Sequence, residues 1–393
     1  MAKHENTGLR NTAGGRWGGT AAIVLWALGP PADVKGAAMS RTTVERDRFG
    51  ATADGTPVDR FTLRNARGMM VRVITYGATV TELWVPDRSG GADDVVLGFD
   101  NLAGYEGPQN PYFGGTAGRV AFRITEGRFT LDGQAYRLTL NVPPHHLHGG
   151  TKGFSRMVWK GETLAAGKDP AVKLTLESPD GDQGYPGRLE ATVVYTLTGQ
   201  NELAIEYTAT TDRPTPVNLT HHSYFNLAGA GQGDVLGHVL QLEAPRYTPL
   251  DAKKIPTGRI EPVEGTPYDF RRPTAIGARM RPGSEVADGY DLSYLVDRPG
   301  SPTGLVRVAT LSEPTSGRVL EVLSTEPAVV LYTGNYLDGT LRGKGGKLYA
   351  KHVGVCLETA HLPDSVNRPA FPPVILQPGQ EYHHRCVYRF SSP

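Results

Sequence analysis

From Thr43 to the C-terminus, no stretch of twelve or more residues carries a clean 3.6-residue apolar period, which argues against a helical core. Short strand-like runs alternate with turns instead. "FTLRN" and "MMVRVITYGATVTELWVPD" alternate or run apolar, with Gly77 placed as a bulge or bend. "GRFTLDGQAYRLT" reads as a hairpin around Asp132-Gly133, a pair favoured in the tight turns that join antiparallel strands. "LEATVVYTLTGQNELAIEYTATT" repeats the pattern around Gly199-Gln200-Asn201, and "RVATLSEPTSGRVLEVLST", "AVVLYTGNYL", "HVGVCLETA" and "EYHHRCVYRF" continue it. Regular strand spacing without intervening helices predicts an all-β chain built as an antiparallel sandwich or barrel. The 49 glycines and 30 prolines are spread singly as turn punctuation, which suits many short strands better than disorder. With no internal repeat and no linker, residues 40–393 read as one domain and residues 1–39 as an N-terminal extension.

Charge excludes some partners. Lys plus Arg is 41 and Asp plus Glu is 40, with no basic cluster, so a nucleic-acid partner is not expected. Cys356 and Cys386 lie far apart in apolar runs and read as buried free thiols, not as a disulfide or metal pair. "TAAIVLWALG" (Thr20 to Gly29) follows Lys3, Arg10 and Arg16 and is too short to span a bilayer. It reads either as the apolar part of a secretory signal or as sequence upstream of a start at Met39. The second reading is preferred and implies a cytoplasmic protein with no membrane partner.

Three segments carry candidate chemistry. In "VNLTHHSYFNLAG" (Val217 to Gly229), strand alternation puts Val217, Leu219, His221, Ser223, Phe225 and Leu227 on one face. Asn218, Thr220, His222, Tyr224 and Asn226 fall on the other, a polar ladder suited to a small hydroxylated ligand. His221, among apolar neighbours, reads as structural. In "GVCLETAHLPDSVN", Glu358 is the one charged group on its strand face, flanked by Cys356 and Ala360. A carboxylate there needs a partner or a raised pKa, and in the latter state it serves as a general base near neutral pH. "HHLHGGTKGF" holds His145, His146 and His148 before a Gly-Gly turn, a spacing that does not set up a closed zinc site, so no metal is expected. "GRVAFRI" supplies Arg119 and Arg123, on one face of a regular strand, and "DGYD" supplies Asp288 and Asp291. Phosphate-loop, nucleotide-binding and serine-hydrolase motifs are missing, leaving ATP, NAD and hydrolase readings without support.

Together these segments resemble the aldose 1-epimerase (galactose mutarotase) family. The resemblance runs from about Thr43 onward through "ITYGATVTELWVPDRSGGADDVVLGFDNLAGY", "NPYFGGTAGRV", "HLHGG", "PVNLTHHSYFNLAG", "GYD", "LYTGNYLDG" and "GVCLETAHLPDSVNRPAFP". It implies a large antiparallel β-sandwich of the galactose mutarotase-like (supersandwich) type. It also implies cofactor-free interconversion of α and β anomers of a hexose such as galactose or glucose, by a monomer or homodimer. By motif, Glu358 of "CLET" would be the base, His222 of "LTHHS" the acid, and His148 of "LHGG" a sugar ligand that assists. Arg123 and Asp291 would hold hydroxyls, with Asn218 and Tyr224 as further contacts from the polar ladder. His221 stands where the family commonly has asparagine.

The departures from the family pattern are all of one kind. Phe122 replaces an asparagine before the binding arginine, Val330 replaces a glutamine, and Leu292 and Ser293 replace a His-Asn pair. A regular strand would turn Phe122 away from Arg123. Each change removes a polar group, and buried hydroxyls lose discrimination when partners vanish. Three functions are compatible with the sequence. The chain is a mutarotase with an atypical sugar preference, or the same scaffold acts by epimerisation, cyclisation or dehydration on a less polar metabolite, or it is a carbohydrate-binding module without turnover. Retention of Glu358 and His222 weighs against the last.

Overall fold

The hairpins set the architecture. Arg128–Leu131 pairs with Gln134–Arg137, joined by Asp132 and Gly133 at φ +50° and +78°, the left-handed pair a two-residue primed turn requires. Leu189–Leu197 pairs with Glu202–Thr211 across nine residue pairs, with Asn201 left-handed at the turn. Gly77, at φ +69°, turns Met70–Ile74 into Thr79–Pro86, so it makes a hairpin corner, not a bulge within one strand. The computed structural model describes residues 42–164, 168–298 and 304–393. The reading of residues 1–39 as an extension, with its apolar run, falls outside them. Met39–Pro393 forms one compact unit.

Three antiparallel sheets dominate. One runs through Thr43–Ala51, Pro57–Arg64, Met70–Ile74, Thr79–Pro86 and Ala92–Asp94. A nine-stranded sheet is centred on Glu202–Thr211, Tyr382–Ser391 and Val319–Ser324. The third contains Asp291–Leu295, Ala328–Tyr332 and Cys356–Ala360 side by side. Alternation is kept where one face is buried: Leu189, Ala191, Val193, Tyr195 and Leu197 point inward and meet Phe61, Val71, Val73 and Val80 in the main core. Each fully buried Val, Leu or Phe there contributes about 1.5–3 kcal/mol, which offsets the unpaired polar groups buried at the site below. The chain is therefore an all-β sandwich. No helix among the described residues is long and apolar enough to cross a membrane.

The third sheet has two apolar faces, and this places the site. Tyr294, Val329, Leu331 and Leu357 go into the main core, while Val330, Tyr332, Cys356 and Ala360 join a second cluster with Phe122 and Tyr224. The cavity opens over that second face.

Two segments read as regular strands are not. In Val217 to Gly229 only Thr220–His221 forms a ladder, and the rest crosses between sheets on single bridges, Val120 to Asn218 and Phe225 to both Val96 and Val355. In "GRVAFRI" only Arg123–Ile124 is strand, so Arg119 and Arg123 do not share a face. Arg119 is buried, donating to the carbonyls of Ser178, Pro186 and Gly187, and is structural.

Glu326 is a second buried acid. Its Oε2 has no hydrogen-bond partner, and His361 Nε2 is 3.5 Å away. Burial pushes the carboxyl up to about 8, with Arg298 opposing. The folded chain thus keeps a proton that the unfolded chain releases near the usual 4.5, so stability falls as pH rises from 4.5 toward 8. Glu326→Gln is expected to raise stability at about pH 8.5, on the order of 2 kcal/mol, and to change it little at about pH 5. Thermal melts of both proteins across pH check this, and an equal gain at every pH would refute the titration.

Candidate active site

Glu358 sits mid-strand in Cys356–Ala360, 3% exposed, directly across from Val330. No arginine among the described residues pairs with it. Among the described residues its ionic partner is His222, whose Nε2 lies 3.6 Å from Oε2, and that oxygen has no hydrogen bond. Burial first, and the negative Asp291 second, hold the Glu358 carboxyl well above the usual range.

His222 follows the short strand Thr220–His221. Its backbone is pinned on both sides, its N–H donating to Gly115 and its carbonyl accepting from Gly114. Its ring stacks 5.2 Å from Tyr224 and 5.8 Å from Tyr112, and its Nδ1 is 3.7 Å from the Cys356 sulfur. Burial pulls its pKa down to about 4. Both members of the pair are thus driven toward the neutral form, sharing one mobile proton. Moving that proton across 3.6 Å gives a Glu358 carboxylate and a His222 imidazolium with no change in net charge.

His148 is locked to Phe122 twice: its N–H donates to the Phe122 carbonyl at 3.1 Å, and its Nδ1 accepts the Phe122 N–H at 3.2 Å. The following Gly149 is left-handed, and a Cβ there would lie 1.6 Å from the Gly118 carbonyl oxygen, so only glycine fits. With Nδ1 accepting, the neutral ring carries its hydrogen on Nε2. Donor atoms of His148, His222 and Glu358 lie within 4.8 Å of one another, a spacing that could hold an ion. The His148 tautomer opposes ligation by Nε2, since binding a metal would require giving up the Phe122 bond. Nε2 is instead a donor for an acceptor oxygen. His145 and His146 face elsewhere: His146 bonds the Thr139 carbonyl and Tyr185, and His145 accepts the Glu126 N–H.

These groups line a cavity of about 150 Å³ that opens to solvent. Arg123 and Asp291 line it as well, Asp291 accepting from Tyr336 at 3.4 Å and raised in pKa chiefly by burial, with Arg123 opposing. Tyr224 contributes its ring, but its hydroxyl is already donated to the Pro111 carbonyl. Asn218 is absent from the lining, a correction to the polar-ladder reading. It is 1% exposed and bonds the N–H and carbonyl of His361, since the segment is not a regular strand. Asp288 is exposed and paired with Lys351. His221 is in the core, bonded to Ser223 between the rings of Tyr195 and Tyr388.

Of the four departures, Phe122 turns into the cavity because its φ is +67°, and Val330 and Ser293 face it in register with Glu358. Leu292 packs with the main core and only edges the cavity. Sequence reasoning missed Tyr112, Lys254 and Tyr336, which also line the cavity. Tyr112 and Lys254 take left-handed backbone in loops, where no periodic signal exists.

An antiparallel sandwich holding a buried carboxyl–imidazole pair in a concave site defines a class of acid–base enzyme. The aldose 1-epimerase family profile matches residues 59–389, and the chain belongs to that family. It is 47% identical over 350 residues to galactose mutarotase of Rattus norvegicus, spanning 89% of this chain and 99% of that protein. It is 38% identical over 341 residues to aldose 1-epimerase of Escherichia coli, spanning 86% of this chain and 96% of that one. Among solved structures, galactose 1-epimerase from Lactobacillus acidophilus superposes with a TM-score of 0.77 at 26% identity, over 89% of this chain and 99% of that one.

Proposed function

We propose that the protein is a cofactor-independent aldose 1-epimerase that interconverts the α and β anomers of a hexose such as galactose or glucose. The observation that carries this is the Glu358–His222 pair, 3.6 Å apart in a buried cavity. Glu358 as carboxylate takes the proton from the anomeric hydroxyl while His222 as imidazolium protonates the ring oxygen. The C1–O5 bond breaks, giving the open aldehyde. Rotation about C1–C2 presents the other carbonyl face, and ring closure returns both protons to their first holders. His148 Nε2–H, fixed outward, donates to a substrate oxygen, and Arg123 and Asp291 hold hydroxyls. Each well-placed acid or base contributes about 10²- to 10⁴-fold, and simultaneous placement of both adds further.

The metabolite-converting and binding-only alternatives have no observation in their favour. The same reading has the protein act on free sugar in the cytoplasm, as a monomer or homodimer.

Blocking O1 tests the route. Methyl α-D-galactoside has no anomeric hydroxyl proton for Glu358 to take, so it is expected to compete with galactose without being anomerised, followed by NMR. Its conversion to the β-glycoside would contradict ring opening through O1.

A further inference from the structure

The acid–base pair is polar, but the floor beside it is not. Strand register sets Glu358, Val330 and Ser293 in one row on one face, with Cys356 and Ala360 flanking Glu358 along its own strand. Phe122 lines the same cavity. Phe122, Val330, Tyr332, Cys356 and Ala360 belong to one contiguous apolar cluster. Arg123, Asp291 and Lys254 also line it, Asp291 in register with Tyr332. Asp291 lies two strands from Glu358 and one row along, in the row of Tyr332 and Cys356, about 12 Å at the usual strand spacing and rise. A pyranose with O1 on Glu358 and distal hydroxyls on Arg123 and Asp291 lays its intervening edge across Val330 and Phe122.

We infer, on the strength of the aldose reading above, that the preferred substrate is a deoxyaldose, a sugar presenting hydrogen or methyl to the Val330–Phe122 floor in place of a hydroxyl group. A hydroxyl seated against Val330 and Phe122 leaves its water partners and meets no donor or acceptor on either side chain, the Ser293 hydroxyl lying one strand beyond Val330. An apolar substituent has no hydrogen bond to lose there. Discrimination of this kind, in an apolar pocket against an added hydroxyl, reaches roughly 10- to 100-fold in kcat/KM. The reach of the floor from beside the anomeric carbon toward the distal groups makes positions 2 and 6 the ones to compare.

The test is kcat/KM by NMR for D-galactose, 2-deoxy-D-galactose and 6-deoxy-D-galactose, with the wild type and with Val330→Gln. At least one deoxy sugar is expected to exceed galactose by about tenfold or more in the wild type. Val330→Gln is expected to bring the ratio near unity by improving galactose, not by weakening everything. Phe122→Asn is the second variant, since asparagine tolerates the left-handed backbone at that position and keeps the chain path. Galactose turned over as well as both deoxy sugars by the wild type would overturn the inference and leave the epimerase intact. No conversion of any of the three above the buffer rate would overturn the epimerase reading, and the inference with it.

Discussion

Glu358→Gln is expected to lower kcat by about 10²- to 10⁴-fold with little change in KM, because glutamine keeps the shape and loses the proton acceptor. His222→Gln is expected to fall in the same range, and the double variant to lose little more than the worse single one, since the two groups act together in one step. A stability readout separates this from a structural role. Burial holds the Glu358 carboxyl above its usual 4.5, so the folded state pays increasingly as pH rises past that value. The glutamine variant should therefore melt at or above the wild-type temperature at alkaline pH while being nearly inactive. A variant that loses activity and melting temperature together would place Glu358 in the scaffold instead.

The second large effect is on folding. Arg119→Met is expected to destabilise the protein by about 3–5 kcal/mol, measured by urea unfolding. Arg119 is 2% exposed and donates to four backbone carbonyls, those of Ser178, Pro179, Pro186 and Gly187, and to the Ser178 and Thr215 hydroxyls. Methionine fills much of the volume and satisfies none of them. The same residue anchors the segment that runs on to Phe122 and Arg123, so surviving folded protein should also bind sugar more weakly. A loss under about 1 kcal/mol would show that water replaces the guanidinium.

Where local chemistry decides structure, the sequence was legible. Asp132-Gly133 and the turn before Glu202 specify hairpins through backbone preference alone, and inward alternation in Leu189–Leu197 follows from one buried face. Glu358 stood out because a lone acid between Cys356 and Ala360 has no solvent-facing explanation, and the cavity lining includes it. Alternation puts His222 on the polar face although the segment is not a regular strand, its role as acid comes from the family resemblance, and the same alternation misplaces Asn218. Both are held by tertiary contacts, His222 by the Gly114 and Gly115 backbone and Asn218 by His361. Phe122 illustrates the limit best. A regular strand turns it away, and a left-handed backbone turns it in, a choice made by its paired bonds to His148, distant in sequence. Tyr112 and Lys254 reach the cavity from loops in the same way.

The most direct test is the rate of α-to-β conversion of freshly dissolved D-galactose, followed by NMR with the wild type and with the Glu358→Gln and His222→Gln variants. Conversion far above the buffer rate by the wild type, falling by about 10²-fold or more in each variant while both stay folded, is the expected result. Wild-type speed in either folded variant would contradict the assignment of the proton transfers to this pair.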